Sequence, residues 1–323
     1  MSIENFNFKI KNIESSLAQR FWQNSNESTF FTNPKYITLF EKKIDWWLVS
    51  KGNEDLCLWP ICSSKDNEVF LPSFGYYFGP IWSTKYINSA DHKKLTVSNR
   101  VFGLFIEKFK LIYKNLIFQT HFTHHDLRFF LWHNNNNEKK FLITPRYSSV
   151  ICDLNKKTDE EIFLDFRELR RRMIRKAKKN ENIIKTVKFN YEEIIKLYCR
   201  TLEDKNHEIK KDTLKKIKTY YDLCNKGEGK MLGFRNKKNN ELISFLLLTF
   251  SKEITNLILN LSTIEGKNSG ITALTIFDAI KYSKNNGKNF FDFNGANSPI
   301  GADDKQSYGG RYSLYFEIEL SNR

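Results

Sequence analysis

The 323-residue chain has few of the features that usually announce a function. No run approaches the ~18 consecutive apolar residues of a membrane-spanning helix. The opening segment MSIENFNFKIKNIESS holds no apolar stretch of signal-peptide length, so a soluble, cytoplasmic protein without a transmembrane segment is expected. Cys57, Cys62, Cys152, Cys199 and Cys224 are odd in number and never spaced CxxC, which fits reduced thiols better than a disulfide framework or a zinc site. Neither a GxGxxG nor a Walker pattern is present, and no Ser/His/Asp arrangement or carboxylate pair marks a hydrolase. THFTHHDLRFFLWH carries His121, His124, His125, Asp126 and His133, but a metal needs three or four convergent ligands with a supporting shell. These read as polar loop histidines, and no metal or permanently bound cofactor is expected.

What is present is aromatic and basic. Apolar residues make up 40% and aromatics 15% of the chain, enough for buried sheets and too much for disorder. The length suits two domains of ordinary size. The net charge of +15 invites a polyanionic partner wherever it clusters, although Lys and Asn are used so freely, as in HNNNNEKK, that part of it carries no message.

Residues 13 to 43 read as helical pieces around a turn in which Asn33 caps and Pro34 starts a helix. DWWLVSK, DLCLWPICS and EVFLPSF follow as an antiparallel meander. After the glycine-bearing GYYFGPIW comes a helix with Leu95, Val101, Leu104, Phe105, Phe109 and Ile112 at helical intervals, then strand LIFQTHF, a helix near HDLRFFLW and strand YSSVICDL. The second half opens on the capping box Thr158 to Glu161, ahead of one helix with the stripe Ile162, Phe166, Leu169, Met173 and Ala177. Further helices precede strands KMLGFRN, ELISFLLLTF and ITNLILNLST. Then come the loop IEGKNSG, a helix closed by Gly287, strand KNFFDFN, a long loop and a last strand. The halves repeat this order, which predicts a duplicated α/β (α+β) module with the boundary near residue 155.

Three stretches could carry chemistry. FRELRRRMIRKAKKN concentrates Arg167, Arg170, Arg171, Arg172, Arg175, Lys176, Lys178 and Lys179, with Arg171/Arg175 and Arg172/Lys176 forming two cationic rows. Cations also suit the negative end of a helix dipole, but the density here exceeds that need and points to an anion. STIEGKNSGITAL puts Lys267, Asn268, Ser269 and Gly270 ahead of a helix that follows a strand, where free N–H groups can hold a phosphate; a plain strand-to-helix connection is the alternative. Between FFDFNG and the last strand, Lys305 stands three residues before Tyr308-Gly309-Gly310 in a connection far longer than the usual 4 to 6 or so residues.

RRRMIRKAKKN, FFDFNG and KQSYGG in this order, with LPSFGYYFGP in the first half, resemble the Fem-type branch of the GNAT acyltransferase superfamily, the peptidoglycan-bridge aminoacyltransferases and their shorter relatives. The resemblance covers nearly the whole chain. It implies two tandem GNAT-like domains, each a mixed, mostly antiparallel sheet flanked by helices: 1–155 on the acceptor side and 156–323 on the acyl-donor side. Lys305 falls on the family's lysine, whose implied role is to stabilise negative charge on the donor carbonyl as an amine attacks. Asp292, His207 and the substrate itself remain alternatives for the general base. The strand, loop and helix order around residues 254–286 points to donor contacts from Asn260, Ser262, Lys267, Asn268, Ser269 and Gly270, to which the resemblance adds Tyr308 and Gly309. Acceptor contacts are implied for Tyr76, Tyr77, Gly79, Arg171, Arg175 and Lys176. Asp304 precedes Lys305 where aminoacyl-tRNA users tend to have an aromatic residue, and the long coiled-coil insertion is missing. Acyl-CoA therefore stands beside aminoacyl-tRNA as co-substrate, and an amino sugar or other nucleotide-linked or polar amine of the cell envelope beside a peptidoglycan peptide as acceptor. Contact with RNA through the basic helix, or with a membrane surface, is compatible with both. The rival readings are a non-catalytic nucleic-acid-binding module and a degenerate, structural GNAT pair.

Overall fold

The computed structural model describes residues 7–41, 43–73, 75–203 and 209–321. They fall into two compact units, Met1–Tyr147 with Ser313–Arg323, and Ser148–Tyr312. The sequence places a boundary near residue 155 and gives the last strand to the second half. In the structure that strand returns to the first unit, because Ile318 and Leu320 are buried in its aromatic core.

The chain begins with β1 (Phe8–Ile13), α1 (Ser15–Asn24), α2 (Pro34–Ile37), β2 (Ile44–Lys51), β3 (Glu54–Cys62), β4 (Ile81–Trp82), α3 (Thr84–Ile87), α4 (Asp91–Lys110), β5 (Asn115–Gln119), α5 (Arg128–Asn136) and β6 (Phe141–Ile151). β1 to β4 form an antiparallel sheet in sequence order. Trp59 anchors the core, with the rings of Phe105, Phe109 and Phe118 packed edge-on at 5.0, 5.2 and 4.6 Å. Asn33 caps α2 as its sequence position predicts, accepting the Lys35 N–H at 3.0 Å. The described residues of EVFLPSF, 68–73, form no strand: only Val69 bridges to Ser63, and its backbone N–H and C=O are both satisfied by the Asn115 side chain. The edge partner of β2 is instead β1, which the sequence reading leaves unassigned although FKIK alternates apolar and polar residues.

The chain continues through α6 (Asp159–Leu164), α7 (Glu168–Lys178), β7 (Ile183–Thr186), α8 (Tyr191–Glu203), α9 (Lys211–Asn225), β8 (Gly229–Asn236), β9 (Leu242–Phe250), β10 (Ile254–Ser262), α10 (Ile264–Asn268), α11 (Ile271–Asn285), β11 (Phe290–Gly295), α12 (Pro299–Gln306) and β12 (Arg311–Ser321). Ile151, at the end of β6, pairs with β11, and the order continues β11-β10-β9-β8-β7. β10 and β11 are parallel, as a helical crossover between them requires, and the other pairings recorded in this unit are antiparallel. β9 is buried over Leu242–Thr249, so this sheet is covered on both faces. No helix among the described residues is long and apolar enough to cross a membrane.

Two expectations are corrected here. The helix predicted from Thr158 to Ala177 is broken at residues 165–167, where the Arg167 N–H bonds Ser307 O at 2.9 Å; Ile162, Phe166 and Ala177 of the predicted stripe are buried and Met173 packs against them, but Leu169 is exposed and Ile174 takes its place. The long connection after β11 is not open loop but contains α12, started by Pro299, with Lys305 in its last turn.

Candidate active site

Lys305 is held at the carboxyl end of β11. Its Nζ donates to Asn294 O at 2.9 Å and to Gly295 O, and the side chain is only partly exposed. β11 bulges there for a local reason: Asn294 takes a left-handed φ of 57°, its own N–H turns back to Asp292 Oδ1 at 2.7 Å, and the pairing with β6 resumes at Gly295/Ser148. Strands β10 and β11 share a register only from Ile254/Phe290 to Asn256/Asp292, and a bulge follows between Leu257 and Leu259. Beyond the last pair, side chains occupy the gap: Asn294 Nδ2 donates to Leu257 O at 2.7 Å, and Asn256 Nδ2 lies 3.1 Å from Asn294 Oδ1 and 3.3 Å from Asp292 Oδ2. A parallel pair opened at its carboxyl ends, with a cation at the mouth, is a place where a ligand can be met by main-chain groups.

Asp292 is wholly buried and accepts a third bond, from Ser148 Oγ at 2.5 Å. Its oxygens are thus committed to the strand framework. Tyr308 is buried against Phe293 and Phe166, and burial pushes its phenol well above the usual range. Gly309 has φ 78°, and a Cβ there would lie 3.0 Å from the Asp165 Cβ, so the turn needs glycine for both its conformation and its fit. The start of α7 is tied to α12: Arg167 makes a two-pronged bond to Asp303, and Arg170 reaches Ser307, Asp304 and the Tyr308 ring.

Where the sequence predicts a donor-binding loop before α11, the structure has α10. Gly270 caps α11 at φ 80°, and a Cβ there would meet Met173 O at 2.4 Å, so α7 lies directly against the start of α11. Ser262 is buried and bonded to Ile243 O and Thr272 Oγ1. Asn260, Lys267 and Asn268 are exposed and Ser269 partly so; Lys176 Nζ lies 3.4 Å from Asn268 O, joining the basic helix to this loop. Within that helix Arg171 pairs with Glu168 at 2.6 Å, and Arg175 sits 3.5 Å from the same carboxylate and over the Phe163 ring.

The architecture has solved counterparts. The chain superposes on the crystal structure of FemX over 96% of both chains, with a TM-score of 0.67 and 12% identity. L-PGS from Bacillus licheniformis matches over 97% of this chain and 93% of that one at TM-score 0.55 and 10% identity. A tandem GNAT protein from the clavulanic acid biosynthesis pathway matches over 97% and 98% at TM-score 0.51 and 7% identity. The fold is that of a Fem-type tandem GNAT protein. At these identities the likeness is one of fold, and no family model and no curated protein sequence matches the chain.

In the first GNAT-like unit, Tyr77 is buried with φ 58°, its N–H bonded to Gln119 Oε1 at 3.0 Å and its ring edge-on to Tyr315. Gly79 passes so close to Gln119 that a Cβ would lie 2.3 Å from its carbonyl oxygen. Tyr76 is partly exposed and packs on Phe31. Tyr77 and Gly79 thus shape the loop from inside, and of the two rings Tyr76 is the one solvent reaches better. His207 lies outside the described residues. Sequence reasoning did not single out Ser148, Asn256 and Asn294, although Asn-Gly at 294–295 is a visible turn signal.

This unit also buries Glu27, whose carboxylate accepts from the Trp82 N–H at 3.1 Å and from Thr123 Oγ1 at 3.0 Å; His121 Nδ1 lies 2.7 Å from the same Thr123 oxygen. Burial pushes Glu27 up to about 7 from 4.5, and lowers His121 to about 3 and His124 to about 4 from 6.5. Between pH 4.5 and 7 the folded chain holds a proton on Glu27 that the unfolded chain has lost, so this carboxyl makes stability fall as pH rises through that window. Below pH 6.5 the unfolded chain protonates both histidines while the folded chain does not, so stability also falls on acidification. Two histidines outweigh one carboxyl, and maximum stability is expected near pH 6.5. Glu27→Gln should gain on the wild type by roughly 3 kcal/mol between pH 4.5 and pH 8 in urea titrations; parallel profiles would contradict the assignment.

Proposed function

We propose that the chain is an N-acyltransferase, moving an acyl or aminoacyl group from an activated donor to an amine of a cell-envelope precursor. The observation that carries this reading is the Lys305 ammonium at the open carboxyl end of the β10–β11 pair, in a fold shared with FemX and a tandem GNAT protein. As the amine attacks, the donor's carbonyl oxygen becomes an oxyanion, and a cation already fixed beside it lowers that barrier by about 2.7 to 4 kcal/mol. The carbonyls of Asn294 and Gly295 aim the ammonium, and Asp292 supports them by fixing the end of β11. The donor's anionic part then lies along the exposed groups Lys267, Asn268 and Lys176. A CoA thioester and a charged tRNA both meet these requirements, and the acceptor is an amino sugar or a peptide amine.

Thermal-shift measurements with acetyl-CoA, longer acyl-CoAs and charged tRNA separate the donors. A ligand at about 100 times its Kd stabilises by ~2.7 kcal/mol, a rise of roughly 5 °C or more in Tm. The donor should give this rise with wild-type protein and with Lys305→Met alike. If none of these donors shifts Tm, the reading is wrong.

A further inference from the structure

α12 is a single eight-residue helix with Ile300 and Asp303 exposed, so its own packing does little to fix where Lys305 points. The residues around the lysine are fixed from outside, and one side chain reaches three of them. Arg170 Nε donates to Ser307 Oγ at 2.7 Å, its Nη2 bonds Asp304, and its guanidinium lies 4.7 Å over the Tyr308 ring. Ser307 Oγ in turn donates to Asp304 O at 2.5 Å, which binds the residues either side of Lys305 into one unit. We infer that Arg170 is the positioning residue for Lys305, and that the amino-terminal part of the basic helix is a scaffold for the lysine rather than an anion site. The inference rests on the reading of Lys305 given above. A planar, delocalised fork can make two bonds in one plane and stack on a ring at once; a lysine in its place can do only one of these. Arg170→Lys therefore keeps the charge and loses the positioning.

The test is the rate at which individual lysines are acetylated by the N-hydroxysuccinimide ester of acetic acid, read by peptide mass spectrometry. Lys267 is exposed and reports reagent strength. Lys288 Nζ, like that of Lys305, is held by two carbonyls, those of Ser251 and Lys252, and reports general loosening of the unit. In Arg170→Met and Arg170→Lys, Lys305 should label about tenfold faster, the equivalent of one charge-assisted hydrogen bond, with Lys267 and Lys288 unchanged. Should Arg170→Met fail to fold, Arg170→Lys decides alone. An unchanged Lys305 rate, or a rise shared with Lys288, overturns the inference. Labelling does not require Lys305 to be catalytic: full transfer activity in Lys305→Met would overturn the functional reading and leave the positioning intact.

Discussion

Asp292→Ala is expected to destabilise the second unit by roughly 3 to 5 kcal/mol. The carboxylate is wholly buried and accepts from Ser148 Oγ, the Asn294 N–H and Asn256 Nδ2. Charge-assisted bonds of this kind contribute about 1.5 to 3 kcal/mol each, and alanine leaves their donors without an acceptor in a site water does not reach. The Ser148 hydroxyl can rotate and Asn256 keeps its bond to Asn294 Oδ1, so the three do not add in full; the Asn294 N–H has no such escape. Asp292→Asn preserves the volume and keeps an oxygen for the Asn294 N–H and Ser148 Oγ, but sets an amide NH2 against Asn256 Nδ2 and removes the charge, and should cost about half as much. Urea unfolding monitored by far-UV circular dichroism measures both. A loss below about 1 kcal/mol for the alanine variant would mean that the carboxylate is not part of the frame, and would return it to the candidates for general base.

For Lys305 the expected effect is on rate. Lys305→Met should lower kcat by about 100- to 1000-fold while leaving donor affinity nearly unchanged, because the interaction strengthens only as negative charge develops on the carbonyl oxygen. Lys305→Arg keeps the charge but spreads it over a planar fork, which the two carbonyls of Asn294 and Gly295 cannot hold in the same place, and should recover little of the loss. A lysine that merely reached solvent from a surface helix would tolerate both changes.

Much of this frame was legible in the sequence, and the reasons differ by element. The three strands from Lys230 to Ser262 and the helix from Ile271 are long, apolar and separated by hairpin-length or glycine-marked turns, so local pattern alone identifies them. β1 and β7 are short edge strands, alternating over only four residues in β1 and not at all in β7, and α12 has Gly301 and paired aspartates that favour turns; tertiary contacts decide all three. Lys305 stands out in the sequence because its connection is too long to be a plain turn. Arg170 was visible only as one cation among eight, since nothing in the spacing of the basic helix shows that Asp303 and Asp304 return to its start. Asp292 sits in an apolar strand, a position where a titratable group invites a catalytic role. Its bonds to Ser148, Asn256 and Asn294, the first over a separation of 144 residues, tie it into the strand frame, which the sequence does not show.

The most direct measurement is the single-turnover rate of acyl transfer by Lys305→Met at saturating donor, alongside the donor's dissociation constant for the same variant. A rate about 100-fold or more below wild type with an unaltered dissociation constant is the predicted result. A near-normal chemical step would contradict it and leave α12 without the purpose assigned to it.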